Sequence, residues 1–206
     1  MRDEGKSVIA ARLSERMDVS PSTVSATLGR MTRDGLIDIH DDHEIYLTPL
    51  GTQVAEDTIR RHRLLERFLT DYLGLSWHQA HEEAGALQHA ISPLVEARLT
   101  EALGNPQTCP HGNPIPGTGA PPLPPGAVTL DQARAGQAFV VVRITEEGER
   151  DLSLLAYLEE HGIVPGARVE VAEVASWNEV VNLVTPKDEA SLGFKAARTI
   201  WVGPVD

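Results

Sequence analysis

Eight of the fourteen prolines fall between Asn105 and Ala127, among them Pro121, Pro122, Pro124 and Pro125. Proline donates no backbone hydrogen bond and its ring fixes φ, so neither a helix interior nor a central strand can run through such a stretch. The segment therefore reads as a stiff, extended linker of polyproline character. It separates two textures. Upstream, apolar residues recur at helical spacing. Downstream, Val- and Ile-rich runs at Ala138 to Ile144, Arg168 to Val174, Glu179 to Val184 and Thr199 to Val202 read as strands. One helix, Asp151 to His161, interrupts them, and Pro165-Gly166 makes a turn. The expected fold class is α+β, a helical first part followed by a small β-barrel, with no internal repeat.

The first residues have a pattern of their own. Ile9, Leu13 and Met17 lie at i, i+4, i+8 in a short amphipathic helix from Val8 to Met17. Ser20 is a good N-cap and Pro21 stands at the favoured first position of a second helix, Pro21 to Arg33, whose apolar face is Val24, Leu28 and Met31. Leu36 to Ile39 and Glu44 to Leu47, around the polar turn His40–His43, alternate like a hairpin. Helix, tight turn, helix and hairpin outline a winged helix-turn-helix. Ser20, Ser22, Thr23, Ser25, Ala26 and Thr27 crowd the start of the second helix and suit base edges or phosphates in a major groove. Arg30 and Arg33 follow where backbone phosphates would lie. The bland alternative, a cap plus a solvated face, stays open for these polar residues.

The charge distribution bears on that reading. The chain carries a net charge of −12, yet residues 1–37 hold six basic and five acidic side chains. Residues 71–206 hold eight and eighteen. A near-neutral head on an acidic body binds DNA weakly unless bound cations neutralise the body or dimerisation locks two heads together. No apolar run approaches the ~20 residues that span a bilayer, and no secretion signal is visible. Cys109 is the only cysteine, which excludes an intrachain disulfide and fits a reducing, cytoplasmic setting.

Donor groups for a metal cluster between Arg60 and His89. His62 and Glu66 are four apart and leave one face of a helix reading from about 50 to 72. His81, Gly85 and His89 continue an i, i+4 row on a second helix reading from about 76 to 103. Imidazoles and carboxylates converging from two packed helices suit a borderline divalent ion such as Mn, Fe, Co, Ni or Zn. Glu83 is an ambiguous further donor, and His78 with Glu82 reads equally as a solvated pair. His40, His43 and His161 read as surface or capping residues. Cys109-Pro110-His111 offers one thiol and one imidazole and reads as a turn rather than a site. No Ser-His-Asp, phosphate-loop or HExxH pattern supports a hydrolase, so the chain reads as a non-enzyme.

SPSTVSATLGRMTRDGLI (20–37), LTPLG (47–51), RRHRLLERFL (60–69), the His81 to His89 stretch, HGNPIPG (111–117) and GIVPGARVEV (162–171) together resemble the diphtheria-toxin-repressor family of metal-dependent transcriptional regulators, in its long form with an SH3-like C-terminal domain. The resemblance covers nearly the whole chain. It implies that His62, Glu66 and His81 match one metal site of the family, with Asp151 near a carboxylate contributed by the third domain and Leu154 where a second polar ligand would stand. It implies a second, activating site at positions 85, 88 and 89. His89 fits that site, Gly85 replaces the Cys or Glu of iron- or manganese-type members, Gln88 replaces a Glu, and Glu83 could compensate. Family members also begin with a further helix that supplies an activating ligand. Met1 to Gly5 fall about where that helix ends, so the natural start is expected upstream.

The resulting expectation is a homodimeric, metal-activated repressor of metal-homeostasis genes that binds double-stranded operator DNA and no membrane. Residues 1–57 would form the winged helix-turn-helix, 58–117 the metal-binding and dimerisation helices, 118–127 a Pro-rich linker, and 128–206 the SH3-like domain. Metal would fix the spacing of two recognition helices at roughly 34 Å, one turn of DNA. Manganese is preferred and iron is the alternative, because position 85 lacks a thiolate and the remaining candidates are nitrogen and oxygen donors. A winged-helix regulator sensing a non-metal ligand is the competing reading.

Overall fold

The computed structural model describes residues 7–205, which divide into two compact units after Thr58. The expectation about an upstream start rests on Met1 to Gly5, outside the described residues. None of the described helices is long and apolar enough to cross a membrane.

The first unit begins with α1 (Ala10–Met17) and α2 (Pro21–Arg33). Asp18 ends α1 in the left-handed conformation, and its N–H returns to the carbonyls of Ser14 and Glu15. Ser20 caps α2 by accepting from the Thr23 N–H, with Pro21 at the first position. Strands β1 (Ile37–Ile39) and β2 (Ile45–Leu47) pair antiparallel, with Ile37 opposite Leu47 and Ile39 opposite Ile45. Val24, Leu28, Ile37 and Ile45 form the small core, flanked by Val8, Leu13, Met31 and Leu36. The LTPLG segment then acquires a physical meaning. Thr48 Oγ1 accepts from the Gly51 N–H and donates to the Gly35 carbonyl. A Cβ on Gly51 would lie 1.9 Å from the Leu36 carbonyl oxygen, so only glycine lets α3 (Pro49–Asp71) start against the hairpin.

The second unit takes up α3 from Ile59. Where one helix over 76–103 is expected, there are two, α4 (Trp77–Leu87) and α5 (Pro93–Ala102). The break has a local cause. Pro93 cannot supply the N–H that a continuing helix needs, and Ser92 caps the new helix through the Val95 N–H. Leu65 and Leu69 of α3 pack on Ala80 and Ala84 of α4, where small residues permit close approach.

The proline-rich stretch is not a linker throughout. Cys109, His111, Asn113 and Ile115 are buried, and Thr108 bridges Pro114. A run of prolines donates few hydrogen bonds but still presents carbonyls that must be satisfied. Three arginines one turn apart on α3 supply the donors: Arg60 to the Pro116 oxygen, Arg63 to the Pro114 oxygen and Arg67 to the Thr108 oxygen. Gly112 holds φ +84°, and a Cβ there would meet the Val142 carbonyl oxygen at 2.3 Å.

Beyond this segment come β3 (Val128–Thr129), β4 (Ala138–Ile144), α6 (Glu146–Glu149), α7 (Leu152–Glu160), β5 (Arg168–Ala175), β6 (Val180–Val184), β7 (Glu189–Gly193), α8 (Phe194–Ala197) and β8 (Ile200–Pro204). The strands make one antiparallel sheet in the order β3-β8-β4-β5-β6-β7. Inward residues alternate along it, Val169 and Val171 on β5, Val181 and Leu183 on β6, Ala190 and Leu192 on β7, as a half-solvated antiparallel sheet requires. They pack with Leu155 and Leu158 of α7 and with Trp77 of α4 in one core. The expected closed barrel is corrected to an open sheet, since no pairing joins β3 to β7 among the described residues. Two residues of β3 pair with β8 before Leu130 turns into a 3-10 turn, which leaves little edge to close upon.

Candidate metal centre

Four segments of the second unit bring donors to one place. His62 and Glu66 come from one face of α3, His81 from α4, Cys109 and His111 from the loop held by the arginines, and Glu149 from the end of α6. Gly148 makes the last placement possible. A Cβ there would lie 2.7 Å from Thr199 Oγ1, so its absence lets α6 pack close with Glu149 buried.

Glu66 is the hub. Its Oε1 is 3.0 Å from His62 Nε2, 2.8 Å from His81 Nδ1 and 3.5 Å from His111 Nδ1. His111 Nδ1 is also 3.0 Å from Glu149 Oε1. Cys109 Sγ lies 3.8 Å from His111 Nδ1 and 3.7 Å from Glu149 Oε1. Asn113 orients Glu149, donating to its Oε1 at 2.6 Å and to the Ile144 carbonyl at 2.6 Å. Two donor sets result, both containing Glu66. His62, Glu66 and His81 form one. Glu66, Cys109, His111 and Glu149 form the other, and within each set the ligand atoms lie within 4.8 Å of one another. Glu66, Cys109 and His111 are fully buried and Glu149 is 4 % exposed.

The residues present fit a divalent cation. Two buried carboxylates beside a thiol carry a heavy desolvation cost unless a positive charge joins them. Glu66 Oε2 and His111 Nε2 are buried and have no hydrogen-bond partner, which is unusual for polar atoms in an interior. Burial pushes the Glu66 carboxyl up, but hydrogen bonds from His62 and His81 and the nearby His111 overcome it and hold it well below the usual carboxylate range. The hydrogen bond to Glu66 pushes His81 up against the opposing effect of burial. Burial, reinforced by Glu66 and Glu149, pushes the Cys109 thiol well up, so it stays protonated until a cation displaces the proton.

Of the candidates named from sequence, His62, Glu66 and His81 are brought together. His89 and Glu83 are exposed, and Gln88 donates to the Gly85 carbonyl at 3.1 Å. Neither His89 nor Glu83 joins a cluster of His, Cys, Asp or Glu donors among the described residues. The reason is local: α4 ends at Leu87, so His89 falls in the turn before Pro93 rather than on a continuing helical face. Asp151 stands outside both donor sets. Its carboxylate is exposed and caps α7 by accepting from the Leu154 N–H at 3.0 Å, and the carboxylate in the cluster is Glu149, two residues earlier. Cys109, His111 and Glu149 are the donors that sequence reasoning missed. The signal for one of them, His111, was HGNPIPG itself, where the imidazole precedes a glycine and an asparagine that each have a structural task.

On α2, Ser22, Thr23, Ser25, Ala26 and Arg30 are exposed and Thr27 is half-buried, opposite the buried Val24 and Leu28. Ser20 Oγ is engaged with Ser22 and Thr23 as part of the cap.

Residues 1–45 match the family described as the iron dependent repressor N-terminal DNA binding domain. Residues 48–117 match the iron dependent repressor metal binding and dimerisation domain, and residues 128–204 match the FeoA domain. The iron-dependent repressor IdeR of Mycobacterium tuberculosis is 39 % identical over 215 aligned residues, covering 100 % of this chain and 93 % of the relative. The diphtheria toxin repressor of Corynebacterium diphtheriae is 35 % identical over 84 % of this chain and 80 % of its own. Among solved structures, a manganese-dependent transcriptional repressor in complex with manganese superposes with a TM-score of 0.81 at 36 % identity, covering 97 % of this chain and 92 % of that one. ScaR with bound Cd2+ superposes with a TM-score of 0.78 at 28 % identity, over 97 % and 92 %. With likeness of that degree running from end to end, the chain belongs to the iron-dependent repressor family, that of the diphtheria toxin repressor.

Proposed function

We infer that this protein is a metal-dependent, DNA-binding transcriptional repressor acting as a homodimer on double-stranded operator DNA. The observation that carries the metal dependence is the buried set Glu66, Cys109, His111 and Glu149, with two polar atoms of the set unpartnered. The exposed Ser/Thr face of α2 with Arg30 supports DNA contact. Exposed Leu73, Leu87, Leu94 and Val95 on the helical part of the second unit support dimerisation. Residues 128–204 are read as the SH3-like module of the long family members. No catalysis is assigned to the chain.

When bound, a divalent ion supplies the positive charge that Glu66 and Glu149 lack and joins donors from α3, the loop and α6. The residues do the rest. Arg60, Arg63 and Arg67 hold the loop on α3, and Asn113 holds Glu149 in place. Without metal, repulsion between the two carboxylates would oppose this packing. Joined, they fix α3, the helix that begins at Pro49. Driving operator occupancy from mostly off to mostly on requires the active arrangement to bind metal ~10⁴-fold more tightly than the inactive one.

The metal proposed is manganese, supported by the likeness to the manganese-dependent repressor at 36 % identity. The argument from purely nitrogen and oxygen donors no longer stands, since Cys109 Sγ lies in the cluster. That thiol and the iron-dependent relatives at 39 % identity favour iron as the second reading. A gel shift on the protein's own upstream region, with metal-free protein plus Mn²⁺, Fe²⁺, Zn²⁺ or chelator, tests both. A shift appearing only with metal is expected, and the ion effective at the lowest free concentration identifies the activator. A shift indifferent to chelator would refute the sensing role.

A further inference from the structure

The open sheet leaves two edges. β3 pairs over only two residues, but β7 offers five, and among the described residues it pairs with β6 alone. In an antiparallel ladder successive residues of an edge strand turn their N–H and C=O alternately toward the partner and away from it. Ser191 turns both outward, and a single side chain meets them. The Tyr157 hydroxyl of α7 accepts from the Ser191 N–H at 2.9 Å and donates to the Ser191 carbonyl oxygen at 3.1 Å. By the same alternation Glu189 and Gly193 face the way Ser191 does, so the phenol stands at the middle of the free edge.

The end of α7 holds that phenol in place. The Tyr157 ring lies 4.2 Å from the ring of His161, four residues on. His161 Nδ1 is 2.8 Å from Asp188 Oδ1, and Lys187 Nζ donates to the Glu159 carbonyl oxygen at 2.8 Å. Lys187 and Asp188 lie in the bend that delivers the chain into β7. An open edge strand is a template for another strand, and β7 is complementary to itself. Two copies paired antiparallel about Ser191 would set each Glu189 opposite a Gly193 and each Ala190 opposite a Leu192. Like charges would not oppose each other, and the inward-facing Ala190 and Leu192, both buried, would share one face.

We propose that Tyr157 is a guard that keeps this edge from pairing with the β7 edge of a second copy of the chain. Its hydroxyl fills the donor and the acceptor that a second β7 would use at its centre, and its ring stands in the approach to them. With the phenol in place the sheet ends at β7. Without it, two sheets join into one across a two-fold axis. The surface is separate from the metal donors and from the face of α2, and the proposal depends on neither.

The mass of the full chain, by light scattering after gel filtration over a series of concentrations, tests this for wild type, Tyr157→Ala, and Tyr157→Ala combined with Ser191→Pro. Proline has no N–H to offer and its ring obstructs an edge, so it closes β7 by another route. Relative to wild type at the same concentration, Tyr157→Ala should gain mass as concentration rises, by about two-fold or more. The double variant should return to the wild-type mass. Tyr157→Ala at the wild-type mass overturns the guard. So does growth that proline fails to reverse, since that growth would come from general loss of packing. Hydrogen exchange on the wild type needs no variant. The Ser191 amide should exchange about ten-fold or more slowly than an open edge amide, and exchange at the unprotected rate overturns the proposal.

Discussion

Replacing Glu149 by Gln should shift stability in opposite directions with and without metal. The amide keeps the volume of the carboxylate and can still accept from Asn113 and His111, now at 2.6 and 3.0 Å, so the packing changes little. What goes is one of two buried negative charges. Ligand atoms of Glu66 and Glu149 lie within 4.8 Å, and two unit charges at that separation repel by about 3 kcal/mol at an effective dielectric constant of about 20. The three surrounding imidazoles already offset part of this, so relief of about 1–3 kcal/mol is expected in the metal-free protein. In a chain of this size each 1 kcal/mol moves Tm by about 2–4 °C. Glu149→Gln should therefore melt several degrees higher than wild type in chelator. With metal at 100 times its Kd the wild type gains about 2.7 kcal/mol, roughly 5–10 °C. The variant, short of an anionic donor, should gain much less. Thermal unfolding by circular dichroism with EDTA and with Mn²⁺ measures both. A lower Tm in EDTA together with an undiminished metal increment would show that Glu149 is a structural hydrogen-bond acceptor and refute the electrostatic argument.

Other expectations follow from the same structure. Gly112→Ala places a Cβ 2.3 Å from the Val142 carbonyl oxygen at φ +84°; left-handed backbone alone costs about 1–2 kcal/mol, so the loop should shift, and metal affinity measured by titration should fall with it. Gly51→Ala, with its Cβ 1.9 Å from the Leu36 carbonyl oxygen, should abolish operator binding in a gel shift yet leave metal binding by titration intact. Arg30→Ala should weaken all DNA sequences alike and reduce the slope of log affinity against log salt by about one. The pH dependence has two signs. Glu66 is held low, so its contribution to metal-free stability is complete above the ordinary carboxylate value of 4.5 and is lost as pH falls below it. Cys109 is pushed up, so its contribution is present below the ordinary thiol value of 9.0 and is lost as pH rises beyond it. Metal binding as the thiolate releases that proton, and affinity should therefore rise with pH between 6 and 8 by about up to ten-fold per unit.

Local patterns in the chain were enough for the elements whose causes are local. Ser20-Pro21 begins α2 because a hydroxyl cap and a preset φ act within one turn. The alternation of Val169, Val171, Val181 and Leu183 marks strands because one face must be buried. His62 and Glu66 share a face through helical period alone. Beyond one turn this legibility failed. The apolar pattern from 76 to 103 hid the break at Ser92-Pro93, because residues of both α4 and α5 line the same core. The two-residue β3 and the alanine-bearing β7 carried too little pattern to be seen.

The donor set shows where the division lies. Sequence alone determined that imidazoles and carboxylates are spaced for a metal, since four residues along a helix is a covalent regularity. Only the tertiary structure decided which donors meet. Cys109 and His111 lie more than forty residues from Glu66 in the chain, and Glu149 is farther still. Their convergence depends on arginines satisfying proline-segment carbonyls, on Gly112 and Gly148 permitting close backbone approach, and on Asn113 bridging the loop to Glu149. Such contacts are selected by complementary shape and unsatisfied polar groups after the chain has collapsed, and no spacing along the sequence encodes them.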